Sequence, residues 1–548
     1  LGHRLLRALI LIIIIGTGLW GSASANWVAS GSFRYQDREF DDTGFTGNQP
    51  MLPIRYATIE IRDLSVNGGQ QLLATGSTDG GGNFSINVVD SSTKTRNIVA
   101  RVISSSTAVP GLFFSVTNVN GSTSPYAVTS TGFSHSNPNL NLNLGTTNAL
   151  IGAGGEIFNL YDVGYNSLDY LRFLTGAYPT SGQALAIRWE VFSGFAATTF
   201  LGSGVIRVGD PSAWNDTIIA HETGHYARDL YSATDSPGGI HHLTNCNQDL
   251  RLAWEEGWAT YFGQVVRKHF GLPNPELYVK TTGAAGPGNL DFYFDVEQES
   301  PYTCDGAASE VTVYSTLWDI VDSTLTPDGT PGLEEIWDNM AGSDTAVWDV
   351  MRNYIRTATN RTLEDFWDGW FIRNLGSLTA MQEVFFQHAV LYYQTLAEPN
   401  DTVATAYTIQ NNGIPLHETY FKDVGNGSGS PDTDYVKFTG EAGVIYTIET
   451  RNLLSDANTS LFLYAADGVS QLAANDDRAP GNKSSLIQFT SPIDTTYYVK
   501  SVHGSGWGIY GSYDLSVISS VNKTGSSQPP PSILPQVRTT IYDKGADH

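Results

Sequence analysis

The sequence predicts a multidomain fold: a β-sandwich towards the N-terminus, an α+β core, and a second, jelly-roll-like β-sandwich towards the C-terminus. Three observations predict it. At 548 residues the chain is too long for one hydrophobic core. Charged residues make up only 16%, hydrophobic ones 41%, and there are 56 glycines, a balance that suits folded, β-rich material and not a disordered chain. The residue pattern also changes character twice, near 150 and near 397.

The first 25 residues read as a leader. His3, Arg4 and Arg7 precede the apolar run "ALILIIIIGTGLW", and "SASA" ends in a small-residue cleavage pattern at Ala23 to Ala25. The run is short for the roughly 20 residues a membrane span needs, and no later segment is long and apolar enough. The expectation is export to an extracellular location, with no integral span after leader removal. From 26 to 149, short strands alternate with turns. "RYATIEIRDL" sets Tyr56, Thr58, Glu60 and Arg62 against Ala57, Ile59, Ile61 and Asp63, and "LLATGSTDGGGNFSINVVD" gives strand, Gly-rich turn, strand. From 150 to 396 the pattern turns helical and rich in Trp, Tyr and Phe, with strand-like "ALAIRWEVF" and "GSGVIRVGD" between the first helices. Regular strands return at 397–520. A Pro/Ser-rich tail, "KTGSSQPPPSILPQ", falls in 521–548.

A net charge of −25 leaves no basic stripe to neutralise phosphates, which argues against nucleic acid as a partner. The only two cysteines are Cys246 and Cys304. In an oxidising compartment they are expected to form one disulfide, the alternative being two buried thiols. A bridge closing a loop of roughly 60 residues would contribute roughly 4 kcal/mol.

One helical stretch carries chemistry. In "IIAHETGHYARDLY", His221 and His225 are four apart, so both imidazoles share a face and can converge on one ion. Glu222 lies one step round the helix, where its carboxylate can reach a water beside the metal. Asn215 or Asp216 is the expected N-cap. A tetrahedral catalytic zinc wants a third protein ligand and an open position. "LAWEEGWATYFG" supplies Glu256, next to Glu255, on an apolar helix where two adjacent carboxylates are hard to bury without a cation. The other reading of that pair is a solvated outer face.

These residues resemble the gluzincin class of zinc metallopeptidases, in which H-E-x-x-H is followed by a helix whose glutamate is the third ligand. Glu255 to Tyr261 is similar to the N-E-G-F-A-x-Y signature of the aminopeptidase-N-like branch, with Glu255 in place of Asn. His225 followed by Asp229 resembles thermolysin-like enzymes, in which Asp229 would fix an imidazole's tautomer. The chain departs from that pattern at Thr260, where those enzymes have Asp. It departs again in the long run "TDSPGGIHHLTNCNQD" between His225 and Glu256, expected as an inserted loop pinned by the disulfide. The resemblance implies Zn2+, Glu222 as general base, and a His or Tyr donor to the oxyanion. Tyr314, His241 and His242 are the candidates. No G-x-M-E-N anchor for a free amine occurs in 150–220, which favours an endopeptidase over an aminopeptidase.

A second resemblance covers 397–520. "EPNDT", "DTDYVKFTGEAGVIYTIET", "TSLFLYAADG", "LAANDD", "TYYVKSV" and "GSYDLSV" look like the bacterial pre-peptidase C-terminal domain, a module of secreted peptidases. By that likeness Glu398, Asn400 and Asp401, with Asp432 or Asp434, are candidate Ca2+ ligands; the other reading is a solvated acidic turn. Protein or peptide substrates are expected, with matrix or cell-wall binding through the β-sandwiches. The competing class is an exported adhesin with an inactive peptidase-like core.

Overall fold

The computed structural model describes residues 26–521 apart from 66–69, 91–93, 107–108, 120–123, 138, 298–300, 303, 305, 323–339, 359–360, 391, 422–431, 455–456 and 505–510. The leader expected at 1–25, and the expected tail beyond residue 521, lie outside the described residues. Among the described residues there are seven α-helices and six sheets. None of these helices is long and apolar enough to cross a membrane.

The N-terminal region is built on the long strand Asn26–Gln36, whose inward residues Trp27, Ala29, Phe33 and Tyr35 alternate with more exposed ones, as a half-buried strand requires. It pairs antiparallel with Asn83–Val89 and parallel with Leu142–Ala149. A second sheet is centred on Thr58–Asp63 and Arg96–Ile103. The boundary expected at 150 does not separate the sheets. Phe114–Thr117 leaves the N-terminal region and pairs in parallel with Leu185–Arg188, which in turn pairs with Val205–Arg207. Gly44–Phe45 likewise pairs with the strand Gly288–Asp295. One apolar cluster therefore runs from Trp27 through the helices to Phe421. The physical reason is that the short core strands cannot bury both faces without N-terminal neighbours.

The helices are α1 (Gly155–Thr175), α2 (Asp216–Tyr231), α3 (Leu250–His269), α4 (Glu310–Asp319), α5 (Asp344–Asn353), α6 (Leu363–Ile372) and α7 (Leu378–Gln387). Helix α2 packs against α3 at very short range. A Cβ at Gly224 would lie 2.7 Å from the Ala259 backbone, and one at Gly263 would lie 3.0 Å from the backbone nitrogen of His221. These glycines let the two helices approach closely enough for Glu256 to reach the histidines.

The C-terminal region is a sandwich of two sheets. One contains Thr433–Gly440, Thr495–His503 and Thr459–Tyr464; the other contains Leu416–Thr419, Ser512–Ser519 and Ile445–Leu454. Val436, Phe438, Tyr446, Ile448, Leu461, Val499 and Val517 fill the space between them.

Candidate metal centre

Helix α2 starts where its first turn can be latched. Asn215 occupies the N-cap position, yet its side chain does not cap the helix. Its Oδ1 accepts from the Thr281 amide at 2.9 Å, and its Nδ2 donates to the Thr281 carbonyl. Thr217 Oγ1 likewise donates to the Val279 carbonyl at 2.6 Å. Asp216, the other expected cap, instead accepts from Asn159 Nδ2 at 2.7 Å. The strand Leu277–Thr281 thus fixes the height of α2, and with it the two histidines a turn further on.

His221, His225 and Glu256 present one ligand atom each, all within 4.8 Å of one another. His221 Nε2 and His225 Nε2 lie 3.2 and 3.3 Å from Glu256 Oε2. That oxygen is buried and accepts no hydrogen bond, although imidazole nitrogens surround it. Two imidazole nitrogens and one carboxylate oxygen, with an orphaned oxygen among them, fit a tetrahedral Zn2+ that keeps one open position.

Each imidazole is oriented through its other nitrogen. His221 Nδ1 and Thr260 Oγ1 are 2.8 Å apart, so Thr260 does the positioning that an aspartate does in the thermolysin-like pattern. His225 Nδ1 and Glu255 Oε1 are 2.9 Å apart, and Arg228 Nη2 holds the same Glu255 oxygen at 2.6 Å. Glu255 therefore has a defined task, which corrects the expectation for Asp229. That carboxylate is 42% exposed and, among the described residues, meets Arg228 at 3.5 Å, because its side chain turns outward away from the histidine face. Burial works against a protonated His225, but Glu255 and Glu256 raise it to about 10. Burial likewise disfavours the charge on Glu256, yet the facing imidazoles hold it well below the usual carboxylate range.

Glu222 stands outside this ligand set. Its Oε2 accepts the Phe200 amide at 2.6 Å, from the edge strand Thr199–Phe200. A buried carboxylate held by a single backbone N–H keeps the capacity to accept and return a proton.

The inserted loop closes the other side. Cys246 and Cys304 are disulfide-bonded with Cα atoms 5.1 Å apart, and the Gln248 amide donates to the Ala308 carbonyl. Just before that clamp, His241 Nε2 lies 3.5 Å from Glu256 Oε2, while its Nδ1 is 2.8 Å from Glu310 Oε2 on α4. Burial would lower His241, but Glu310 and Glu256 raise it to about 8. His242 is exposed. Tyr314 is not at the site. It is buried one turn beyond Glu310, packs near Phe294, and its hydroxyl points to the Glu276 carbonyl at 3.5 Å. The tyrosine that does approach is Tyr278, whose ring lies 6.0 Å from that of His221. Its hydroxyl is raised well above the usual value by burial and then by Glu222, Glu310 and Glu256. Sequence reasoning missed Tyr278 and Glu310, since neither belongs to a motif.

A second cluster lies in the C-terminal sandwich. Glu398, Asp432 and Asp434 bring one oxygen each within 4.8 Å of one another. Asn400 is fully buried beside them with its Oδ1 unbonded, and Asp401 hydrogen-bonds Asp432. Glu418, not anticipated from the sequence, is buried here too and accepts from Thr395 Oγ1 at 2.7 Å. Burial, and then the neighbouring carboxylates, raise Asp432 and Glu418 to about 8.

Comparison with known proteins bears on this second region. The family description of the bacterial pre-peptidase C-terminal domain matches residues 432–500. Those residues form such a domain. The match begins at Asp432, so the acidic cluster sits at the edge of the pre-peptidase C-terminal domain. A protein of Archaeoglobus fulgidus described only as uncharacterized is 30% identical over 138 residues, 25% of this chain and 35% of its own length. The chain thus spans about a third of that relative. Among solved structures, the pre-peptidase C-terminal domain of a Bacillus anthracis collagenase is 17% identical, covering 20% of this chain and 93% of that chain, with a TM-score of 0.16. A periplasmic inhibitor of g-type lysozyme from Aeromonas hydrophila is 14% identical, with coverages of 20% and 95% and a TM-score of 0.15.

Proposed function

We propose that this chain is a secreted zinc-dependent metallopeptidase acting as an endopeptidase, with Ca2+ held in the acidic cluster of its C-terminal region. The observation that carries the reading is the convergence of His221, His225 and Glu256 beside a separately anchored Glu222. The pre-peptidase C-terminal domain, typical of secreted bacterial proteases such as collagenase, and the Cys246–Cys304 disulfide support it.

His221, His225 and Glu256 would hold the zinc, whose chemistry is to acidify a water and polarise the scissile carbonyl. Glu222 takes the proton of the attacking water and delivers it to the leaving nitrogen. The Phe200 amide keeps that carboxylate in place through both transfers. His241, oriented by Glu310, donates a hydrogen bond to the oxygen that gains charge as the carbonyl is attacked. Thr260 and Glu255 keep the ligand imidazoles aligned. Glu398, Asp432 and Asp434, with the Asn400 carbonyl oxygen, supply the hard oxygen donors that Ca2+ prefers.

The test is hydrolysis of an N-blocked, internally quenched peptide by the purified chain before and after 1,10-phenanthroline. Cleavage should stop with the chelator and return with Zn2+ but not with Ca2+. Cleavage that survives metal removal, or that needs a free N-terminus, would refute the endopeptidase reading.

A further inference from the structure

Glu256 faces a third imidazole. His221 Nε2 and His225 Nε2 approach its Oε2 from α2, and His241 Nε2 approaches the same oxygen from the inserted loop at 3.5 Å. His241 does not join the first ligand set. Its own set is His241, Glu256 and Glu310, again with one ligand atom from each residue within 4.8 Å of the others. Glu256 is therefore common to two sets of three. A carboxylate has two oxygens and several lone pairs, so one glutamate can face two cations.

Packing builds the second set as it builds the first. Helix α4 meets α3 beside Glu256: a Cβ on Gly257 would lie 2.8 Å from the Glu310 carbonyl oxygen and 2.6 Å from the Val313 side chain. That approach brings Glu310 to the site and leaves it 4% exposed. Its Oε2 and His241 Nδ1 are 2.8 Å apart. The Cys246–Cys304 disulfide ties the loop to the segment before α4, and Thr312 Oγ1 donates to the Cys304 carbonyl at 2.6 Å. A Zn2+ at the α2 histidines neutralises Glu256. It leaves the buried Glu310 with an imidazole that is charged only when protonated, and such a carboxylate is costly without a cation.

We propose that a second Zn2+ binds between His241, Glu310 and Glu256, more weakly than the first, and that its binding inhibits hydrolysis. An imidazole nitrogen with two carboxylate oxygens suits zinc over the hard cations Ca2+ and Mg2+. The affinity is lower because Glu256 is shared and two like charges then stand close together. Inhibition follows because His241, once bound to an ion, no longer donates to the substrate oxygen. The inhibition rests on the peptidase reading above; the binding rests on the second set alone.

The test uses the full chain, stripped of metal and titrated with Zn2+ in the presence of CaCl2, which keeps the acidic cluster filled. Calorimetry and metal analysis count the zinc, and an N-blocked quenched peptide reports hydrolysis across the same titration. Wild type should bind two zinc ions, with hydrolysis rising to one equivalent and falling at least about tenfold as the second fills. Glu310→Gln, which keeps an acceptor for His241 but not the charge, should bind the second ion at least about tenfold more weakly. Its rate, whatever its starting value, should not fall where that of wild type does. A single zinc in wild type, a second zinc of unchanged affinity in Glu310→Gln, or a rate that climbs as the second ion binds would overturn the proposal. Two zinc ions lost one by one to these variants, but no cleavage at any loading, would instead overturn the peptidase reading and the inhibition with it. If Glu310→Gln does not fold, His241→Gln, on the more exposed loop, is read by its zinc count in the same way.

Discussion

The two clusters of ligand-bearing side chains differ in what surrounds them. Around His221, His225 and Glu256 the supporting groups are already in place: Thr260 on one imidazole, Glu255 and Arg228 on the other, and a separately tethered Glu222. Around Glu398, Asp432 and Asp434 there are carboxylates facing carboxylates, which accept from the Asn400 and Thr433 amides and the Tyr513 hydroxyl. Mixed nitrogen and oxygen donors with oriented imidazoles suit a reactive, exchangeable position on zinc. An all-oxygen set that repels itself suits a structural calcium, whose binding relieves the repulsion. Under the proposed function the first cluster would serve chemistry and the second would hold a structural cation.

Experiments that break the first cluster should have the largest effects. His225→Ala should abolish hydrolysis and drop bound zinc well below that of wild type, as read by metal analysis; retained zinc at wild-type level would place the metal elsewhere. Changing the orienting residue sharpens the point. Glu255→Gln should weaken zinc binding by about 10- to 100-fold without unfolding the chain. Competition with a zinc indicator measures this, and an unchanged affinity would reduce Glu255 to a partner for Arg228.

Crossing to the second cluster should separate the two tasks. Asp434→Asn should leave turnover of a short quenched peptide within about twofold while removing the rise in unfolding temperature caused by CaCl2. If peptide turnover fell with the calcium response, the clusters would not be independent.

Smaller effects concern the scaffold. Gly224→Ala places a Cβ against the Ala259 backbone and should destabilise by about 1–3 kcal/mol, read by denaturant unfolding. Behind α2, Asp37 and Asp216 line one cavity, and burial followed by the Asp216 charge raises Asp37 to about 8. A carboxylate whose folded pKa lies above its unfolded value contributes most below the unfolded value of about 4, and that contribution is lost as pH rises to about 8. Stability should therefore decline across that window, and Asp37→Asn should flatten the decline.

The motif helix was legible because helical spacing alone puts His221 and His225 on one face, and Glu256 because a buried Glu pair asks for a cation. The roles of Thr260 and Glu255 were not, since each depends on how near α2 and α3 come at Gly224 and Gly263. Nor was the position of Tyr314. It sits one helical turn from Glu310, and only the packing of α4 decides which of the two meets the site. The division at 150 misled because composition changes there while strand pairing does not: Phe114–Thr117 finds its partner at Leu185–Arg188. Glu418 carries no motif, and long-range packing alone brings it beside Asn400 at the acidic cluster.

The measurement that bears most directly on the central claim is hydrolysis of a quenched peptide by wild type and Glu222→Gln, with zinc per chain determined on the same samples. About one zinc is expected in each protein, with a fall in kcat of about 100- to 10,000-fold in the variant. Equal turnover by the two proteins, with zinc bound in both, would contradict it.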